Sequence, residues 1–325
     1  MESRLLERRK FAILGANGFI GSHIARQLVC HDFDVHAIVR SEITDRRVSW
    51  LADLPRMNAV AARLVLFQAT APDQYAKALA GCDACFIAAG INDPAHETWP
   101  AEMVGLTEAV VRQCAAAGVK TVVLTSSTGS TNPPGGEPER KREDEHFSDP
   151  EVLRERGRFA SCAKTLAERK AFELGAELGV RAVAICPSAV MGPSLSPVRD
   201  QPHDFIARFL TGEKKLSEVP NNSMSFIDVR DLAALHVQAA LLPTASGRYF
   251  GVCSDSAHFL TILQMLHELF PPFKVPPSPS SPLVRVTAFD LSKQATLGVS
   301  CRPIKEVLRQ HIMCLQNEGV IPLLE

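Results

Sequence analysis

Short apolar runs recur along the first 190 residues, each followed by a polar or glycine-rich turn and then by a stretch with helical spacing. Phe11-Ala12-Ile13-Leu14 is the first run, and Ile20, Ile24, Ala25 and Leu28 share one face of the helix predicted after it. Val35–Val39 reads as the second strand, Leu64–Phe67 as the third, Ala84–Ala89 as the fourth, Val119–Thr125 as the fifth and Arg181–Cys186 as the sixth. Helices are predicted over Trp99–Ala117, stopped by Gly118, and over Phe159–Gly179. Strands that are apolar on both faces and alternate with helices predict an α/β fold with a parallel, doubly wound sheet of the Rossmann type. Beyond Gly192 the alternation stops. The pattern therefore divides into a larger α/β domain over residues 1–190 and a smaller, mixed region beyond it. Asn132–Pro150 is polar and rich in Pro and Gly, and reads as an exposed loop or flap. The proline-rich Pro271–Pro282 reads as a linker or mobile surface segment, and Ile304–Asn317 as a last helix.

Composition narrows the class. The chain has 325 residues, 46% hydrophobic and 22% charged, with a net charge of −1. That describes an ordinary globular protein with no electrostatic reason to bind nucleic acid. No apolar run reaches the roughly 18 residues of a membrane helix, so no membrane partner is expected. Nine scattered cysteines point to reduced thiols and a cytoplasmic location. Cys82-x-x-Cys85 has no second pair and straddles a strand, which favours packing over metal; no metal site is expected.

The candidate chemistry starts at Gly15-Ala16-Asn17-Gly18-Phe19-Ile20-Gly21, a G-x-x-G-x-x-G turn between a strand and a helix. Glycines there permit a tight turn and close approach of the backbone to a pyrophosphate. The helix N-terminus adds unpaired N–H groups and partial positive charge. The second strand ends at Arg40, about 20 residues further on, where such folds select their cofactor. A guanidinium at that place forks onto the 2′-phosphate of NADP(H), and Arg46 and Arg47 are near in sequence. Ligands on these sheets lie beyond the carboxyl ends of the strands, which adds Thr70, Ala88, Ala89, Gly90 and Ser126–Thr128 as candidates.

Several segments together resemble the extended short-chain dehydrogenase/reductase superfamily, which is NAD-dependent epimerase/dehydratase-like, and within it the dihydroflavonol reductase and cinnamoyl-CoA reductase branch. They are GANGFIGSHI, the Val39-Arg40 pair, TVVLTSS, KTLAERKAF, CPSAVMGPSL, SFIDVRDLAALHVQA, SGRYF and LGVSCRPIKEVL, in family order over nearly the whole chain. The resemblance implies reduction of a small-molecule carbonyl by NADPH in a monomer or homodimer. It implies a nucleotide-binding domain over residues 1–190, with 226–250 returning to it, and a substrate region from 191–225 and 251–325; within them, that Ser127 orients the carbonyl and that Lys164 holds the nicotinamide ribose. It adds Pro187, Ser188, Ala189 and Val190 to the cofactor-contacting set, and reads Asp228, Arg230 and Asp231 as structural hydrogen-bonding residues. The family's hydrogen-bonding residue near the end of the third strand is usually Asp; here it is Thr70, which implies weaker adenine recognition.

One departure is large. The family places its general-acid Tyr four residues before the Lys, and that position is Ala160. The chain has two tyrosines, Tyr75 and Tyr249, and neither lies in the motif. General acid catalysis is worth about 10² to 10⁴ in rate. Ser161 and Cys162 point roughly 100° and 200° around the helix from position 160, so neither replaces it; His146, His203 and Asp204 are lone polar residues that could reach in. Four readings remain: a reductase with another donor, a non-redox cyclase, isomerase or lyase on the same scaffold, a catalytically silent NADP-binding module, or a designed Tyr-to-Ala replacement in a reductase.

Overall fold

The computed structural model describes residues 8–90, 96–197 and 204–324. Seven strands form one parallel sheet: β1 Lys10–Leu14, β2 Asp34–Val39, β3 Leu64–Gln68, β4 Ala84–Ile87, β5 Thr121–Thr125, β6 Arg181–Pro187 and β7 Gly247–Gly251. Their order is β7-β6-β5-β4-β1-β2-β3. The chain leaves β1 toward one edge and returns to start β4 on its other side, so the strand order reverses between β1 and β4. At that reversal, loops at the carboxyl ends diverge and open a crevice. The doubly wound sheet read from the apolar runs is the fold observed, with Gly247–Gly251 as a seventh strand.

Two apolar layers cover the sheet. Helix α1 (Phe19–Cys30) and helix α4 (Val229–Leu241) pack on one face, burying Ile24, Leu28, Leu232 and Leu235 against Phe11, Ile13 and Val183. Helices α2 (Trp99–Ala116) and α3 (Phe159–Leu178) cover the other, burying Met103, Val110, Ala167 and Leu174 against Ala12, Cys85 and Val122. Cys82 and Cys85 are buried packing residues, and no group of metal-ligating side chains occurs among the described residues. No described helix is long and apolar enough to cross a membrane. A third apolar cluster joins Met191, Ile206, Phe226, Leu263 and Phe270 to helix α5 (Ile304–Asn317), beyond the carboxyl ends of β5 and β6.

Two segments depart from expectation. Asn132–Pro150 is not a free flap. Arg140–Lys141 pairs in parallel with Ala288–Phe289, and the buried Arg248 side chain donates to the carbonyls of Ser130, Glu143 and His146, each at 2.9 Å. Arg248 reaches them from β7 because its Nε lies 2.9 Å from the buried Glu168 carboxylate. A buried guanidinium is tolerated where its charge is paired; Glu168 supplies the carboxylate and the carbonyls of this loop take the Nη donors. Pro271–Pro282 has no regular structure yet is tied down as well: Pro277 accepts from the Val219 amide at 2.9 Å, and Asn221 donates to Ser281 and Pro282. Prolines that cannot join a ladder are held here by their carbonyls.

Candidate active site

The glycine turn is built by close approach. Gly15, at φ +83, donates its N–H to the Ile38 carbonyl at 3.0 Å, and Gly18 donates back to the Gly15 carbonyl at 3.0 Å. A Cβ on Gly21 would stand 2.1 Å from the Gly15 carbonyl oxygen, and one on Gly15 would stand 2.8 Å from the Ala89 backbone. Helix α1 thus starts against the end of β1, and the turn lies against Ala88–Gly90, where the Ala88 amide extends β4 by donating to the Leu14 carbonyl. No side chain caps α1. The amides of Phe19, Ile20 and Gly21 lack the intrahelical acceptors that later residues have. Shape and donor set suit a pyrophosphate, because a bare cradle of amides at a helix N-terminus attracts an anion that no side chain displaces.

Arg40 is exposed at the end of β2, near enough to Tyr75 to act on its hydroxyl electrostatically. Arg47 is not available as sequence proximity suggested: it binds Asp45 at 2.6 Å and holds that carboxyl down at about 2. Thr70 is exposed, and its amide donates to Gln74 Oε1 at 2.7 Å, so this turn is closed by its own neighbour.

At the end of β5 the two serines split. Ser126 turns into the core and donates to Glu168, so its side chain does not face the cleft, contrary to expectation; only its backbone remains near the strand end. Ser127 stays partly open, its Oγ accepting from the Gly129 amide at 3.0 Å. Lys164, on α3, donates Nζ–H to the Thr125 carbonyl at 2.9 Å. Burial pulls its ammonium down to about 8, only partly offset by Glu168. Beneath it, burial holds His236 near 4 and therefore neutral. Its Nδ1 faces the Leu232 carbonyl at 2.8 Å, which assigns the proton there and leaves Nε2 to accept from Thr125 Oγ1 at 2.8 Å.

Lys164 carries a pH signature. Its folded value lies below the roughly 10.4 of a free lysine, so between those values the unfolded chain holds the extra proton. The contribution to stability is complete above the unfolded value and is lost as pH falls through about 8. We expect the stability difference between the native chain and Lys164→Met to change by up to about 3 kcal/mol between about pH 7 and pH 10. Paired denaturant titrations measure it, and a flat difference contradicts the assignment.

Ala160, one turn before Lys164, is only partly covered. Both tyrosines are core residues, Tyr75 at 5% exposure and Tyr249 at 4%, so neither supplies the missing phenol. His146 is occupied by the Arg142 amide at Nδ1, and Asp204 caps the short helix Phe205–Leu210 and faces His311 at 2.9 Å. Both are thus engaged by other partners, and His203 lies outside the described residues. Ser161, set aside on helix-angle grounds, is closer than that reasoning allowed. Its Oγ lies 2.3 Å from where a Gly129 Cβ would stand, and that point is 3.3 Å from Ser127 Oγ. Gly129 is small so that α3 can close on the Ser127 turn.

Asp228 caps α4 through the Arg230 amide and also binds the Arg230 guanidinium at 2.8 and 2.7 Å, while Asp231 binds Arg302. These carboxylates are spent on architecture. The chain leaves β6 at Pro187, and Ala189–Met191 then pairs in parallel with Phe226–Asp228. Ser188 Oγ is buried without a hydrogen-bond partner, an orphan that suits a polar group of a bound ligand. Ser127, Gly129 and Pro187–Met191 line a cleft of about 760 Å³ together with Lys141, Phe205, Met224 and Phe289. Sequence reasoning missed Lys141, Arg156 and Arg158 on this lining because they stand in no motif.

Residues 11–251 match the NAD dependent epimerase/dehydratase family. Cinnamoyl-CoA reductase 1 of Oryza sativa subsp. japonica is 30% identical, over 98% of this chain and 94% of its own length. Vestitone reductase from alfalfa (Medicago sativa) superposes with a TM-score of 0.80 at 22% identity, covering 96% of this chain and 99% of that one. The yeast methylglyoxal/isovaleraldehyde reductase Gre2, solved with NADPH, gives 0.78 at 22% identity, covering 96% and 100%. With its parallel sheet, its glycine turn and this likeness over nearly its whole length, the chain belongs to the NAD dependent epimerase/dehydratase family, in the cinnamoyl-CoA and dihydroflavonol reductase branch of the extended short-chain dehydrogenases/reductases.

Proposed function

We propose that this protein is an NADP(H)-dependent reductase of a carbonyl on a medium-sized organic substrate, working without the phenolic acid of its family. The observation that carries the reading is Lys164, a half-buried side chain whose amine is held at the end of β5 one turn from Ala160 and near Ser127. Gly15–Gly21 would hold the pyrophosphate, Arg40 the 2′-phosphate, Thr70 the adenine side, and Ala88–Gly90 the backbone between. Lys164 and Pro187–Val190, with the orphan Ser188 hydroxyl, would take the nicotinamide end. When bound, the reduced nicotinamide supplies hydride to the carbonyl carbon. Ser127 donates a hydrogen bond to the carbonyl oxygen and orients it. Lys164, with its value near 8, is poised to deliver a proton toward the resulting alkoxide through solvent, because an acid works best when its pKa lies near the working pH.

The test is NADPH oxidation against a panel of aldehydes and ketones, with NADH in parallel and pH varied. Turnover that prefers NADPH and declines as pH rises through about 8 is expected. Product formed without any change in nicotinamide absorbance, with either oxidation state sufficing, establishes a non-redox enzyme instead. Cofactor binding with no chemistry on any substrate leaves a binding module.

A further inference from the structure

We propose that the substrate of this cleft carries an oxyanion, a carboxylate or phosphate, seated at Arg156 and Arg158; the identity of the carbonyl half rests on the reductase reading above. The two arginines flank Gly157, whose φ of +63 turns the chain from the short helix Pro150–Glu155 into α3. Both side chains line the cleft beside Ser127, Thr128 and Gly129. Three features of their setting point to an anion.

The first is charge balance. The cleft lining contains Lys141, Arg156 and Arg158 as cations and Glu137 as its carboxylate. Glu137 is already committed: Lys141 Nζ lies 2.9 Å away and Thr287 donates to the same carboxylate at 2.7 Å. Lys141 is 5% exposed and also donates to Asn132, so this half of the cleft is neutralised within itself. An excess of two positive charges is left at the rim, on a chain whose net charge is −1.

The second is the absence of local partners. Among the described residues neither Arg156 nor Arg158 takes part in an ion pair or a side-chain hydrogen bond; the exposed Arg26, Arg46 and Arg154 share that condition, but only Arg156 and Arg158 of these five stand on the cleft lining. Guanidiniums present a planar fork matched to two oxygens of a carboxylate or phosphate. The third is position. Arg158 is the N-cap of α3, which has no side-chain cap and no acidic residue in its first turn. The partial positive charge of a helix start disfavours a cation there. A local choice that conflicts with helix electrostatics is expected where a ligand restores the balance. The distance from this rim to Ser127 is spanned by residues of one cleft, so one molecule can present its carbonyl at Ser127 and its anion at the arginines.

Calorimetric titration of the NADP⁺-saturated chain with 4-formylbenzoate, 4-formylphenyl phosphate and the uncharged 4-formylbenzamide tests this. We expect at least one of the two anions to bind about tenfold or more tightly than the amide, from charge-assisted hydrogen bonds. The preference should fall to within about twofold in Arg156→Gln/Arg158→Gln and shrink between about 0.05 and 0.5 M salt. Arg154→Gln, on the preceding helix and outside the cleft lining, should keep it. Carboxylate preference alone identifies a carboxylated substrate, and phosphate preference alone a phosphate monoester. Equal binding of anion and amide, binding of none of the three, or a preference that survives the double substitution overturns the proposal. NADPH oxidation, followed separately, decides the reductase reading: no turnover with an intact anion preference removes that reading and leaves this one standing.

Discussion

Ala160→Tyr should reduce aldehydes faster than the native chain by about 10² to 10⁴ in kcat, the typical worth of a positioned general acid, with little change in KM. Position 160 lies four residues before Lys164 on the same face of α3, so a phenol there stands one turn from the ammonium and on the Ser127 side. Burial of Lys164 near a pKa of about 8 keeps a positive charge beside the phenol at neutral pH, and a neighbouring cation pulls a phenol's pKa down toward the useful range. Space is not the obstacle, because Ala160 is only partly covered and a larger side chain has somewhere to go. The decisive measurement is single-turnover NADPH oxidation by both proteins with one aldehyde. A gain confined to KM, or none, means that α3 does not hold position 160 against the reacting carbonyl. The role given to Ser127 and Lys164 then fails with it.

Gly21→Ala is the second large effect, and its sign is opposite to the one helix propensity predicts. Gly21 lies inside α1, where alanine is ordinarily favoured over glycine by about 1 kcal/mol. Here the added methyl meets the Gly15 carbonyl oxygen at 2.1 Å, and that oxygen is backbone held by the Gly18 amide. Neither partner is the flexible end of a side chain, so α1 must move away from β1 or the turn must open. Both break the amide cradle. We expect NADP⁺ affinity to drop by at least about a hundredfold, or about 2.7 kcal/mol, with a lower melting temperature. Gly105→Ala is the matched control: it also lies within a helix, but a Cβ there meets nothing within 4 Å. Retained NADP⁺ affinity in Gly21→Ala shows that the cofactor does not bind against this turn.

The two substitutions probe different halves of one arrangement. Helix α3 carries Lys164 upward to the reacting end and Glu168 downward into the core, where Glu168 accepts from Ser126 and Ser130 and meets Arg248. A helix repeats its face every three to four residues, so Lys164 and Glu168 are stacked on one side and couple the cleft floor to the loop at 130–148. Replacing Arg248 would therefore disturb the cleft wall as well as the core, which is why cleft chemistry is better tested at residues 160 and 21.

The fold and the geometry of the glycine turn were legible in the chain because they depend on local order. An apolar run, a glycine turn and an amphipathic stretch specify strand, turn and helix within about 20 residues, and parallel strands joined by helices can close in few ways. The Gly15–Gly21 turn is likewise read from spacing along a strand and a helix, whereas Lys164 and the position of Ala160 come from the family resemblance of the KTLAERKAF segment. What only the tertiary structure decided involves partners far apart in sequence. The orientation of Ser126 depends on Glu168, 42 residues later, and the order of the 130–148 loop depends on Arg248, more than 100 residues later. Lys141, Arg156 and Arg158 meet Phe289 and Thr287 around one cleft only after the C-terminal segment folds back over the sheet. Period and propensity describe how a segment buries its own face; they carry no record of which distant group will neutralise a charge or fill a wall. That is settled by packing, where a carbonyl or carboxylate from elsewhere in the chain arrives and gives each buried polar group its partner.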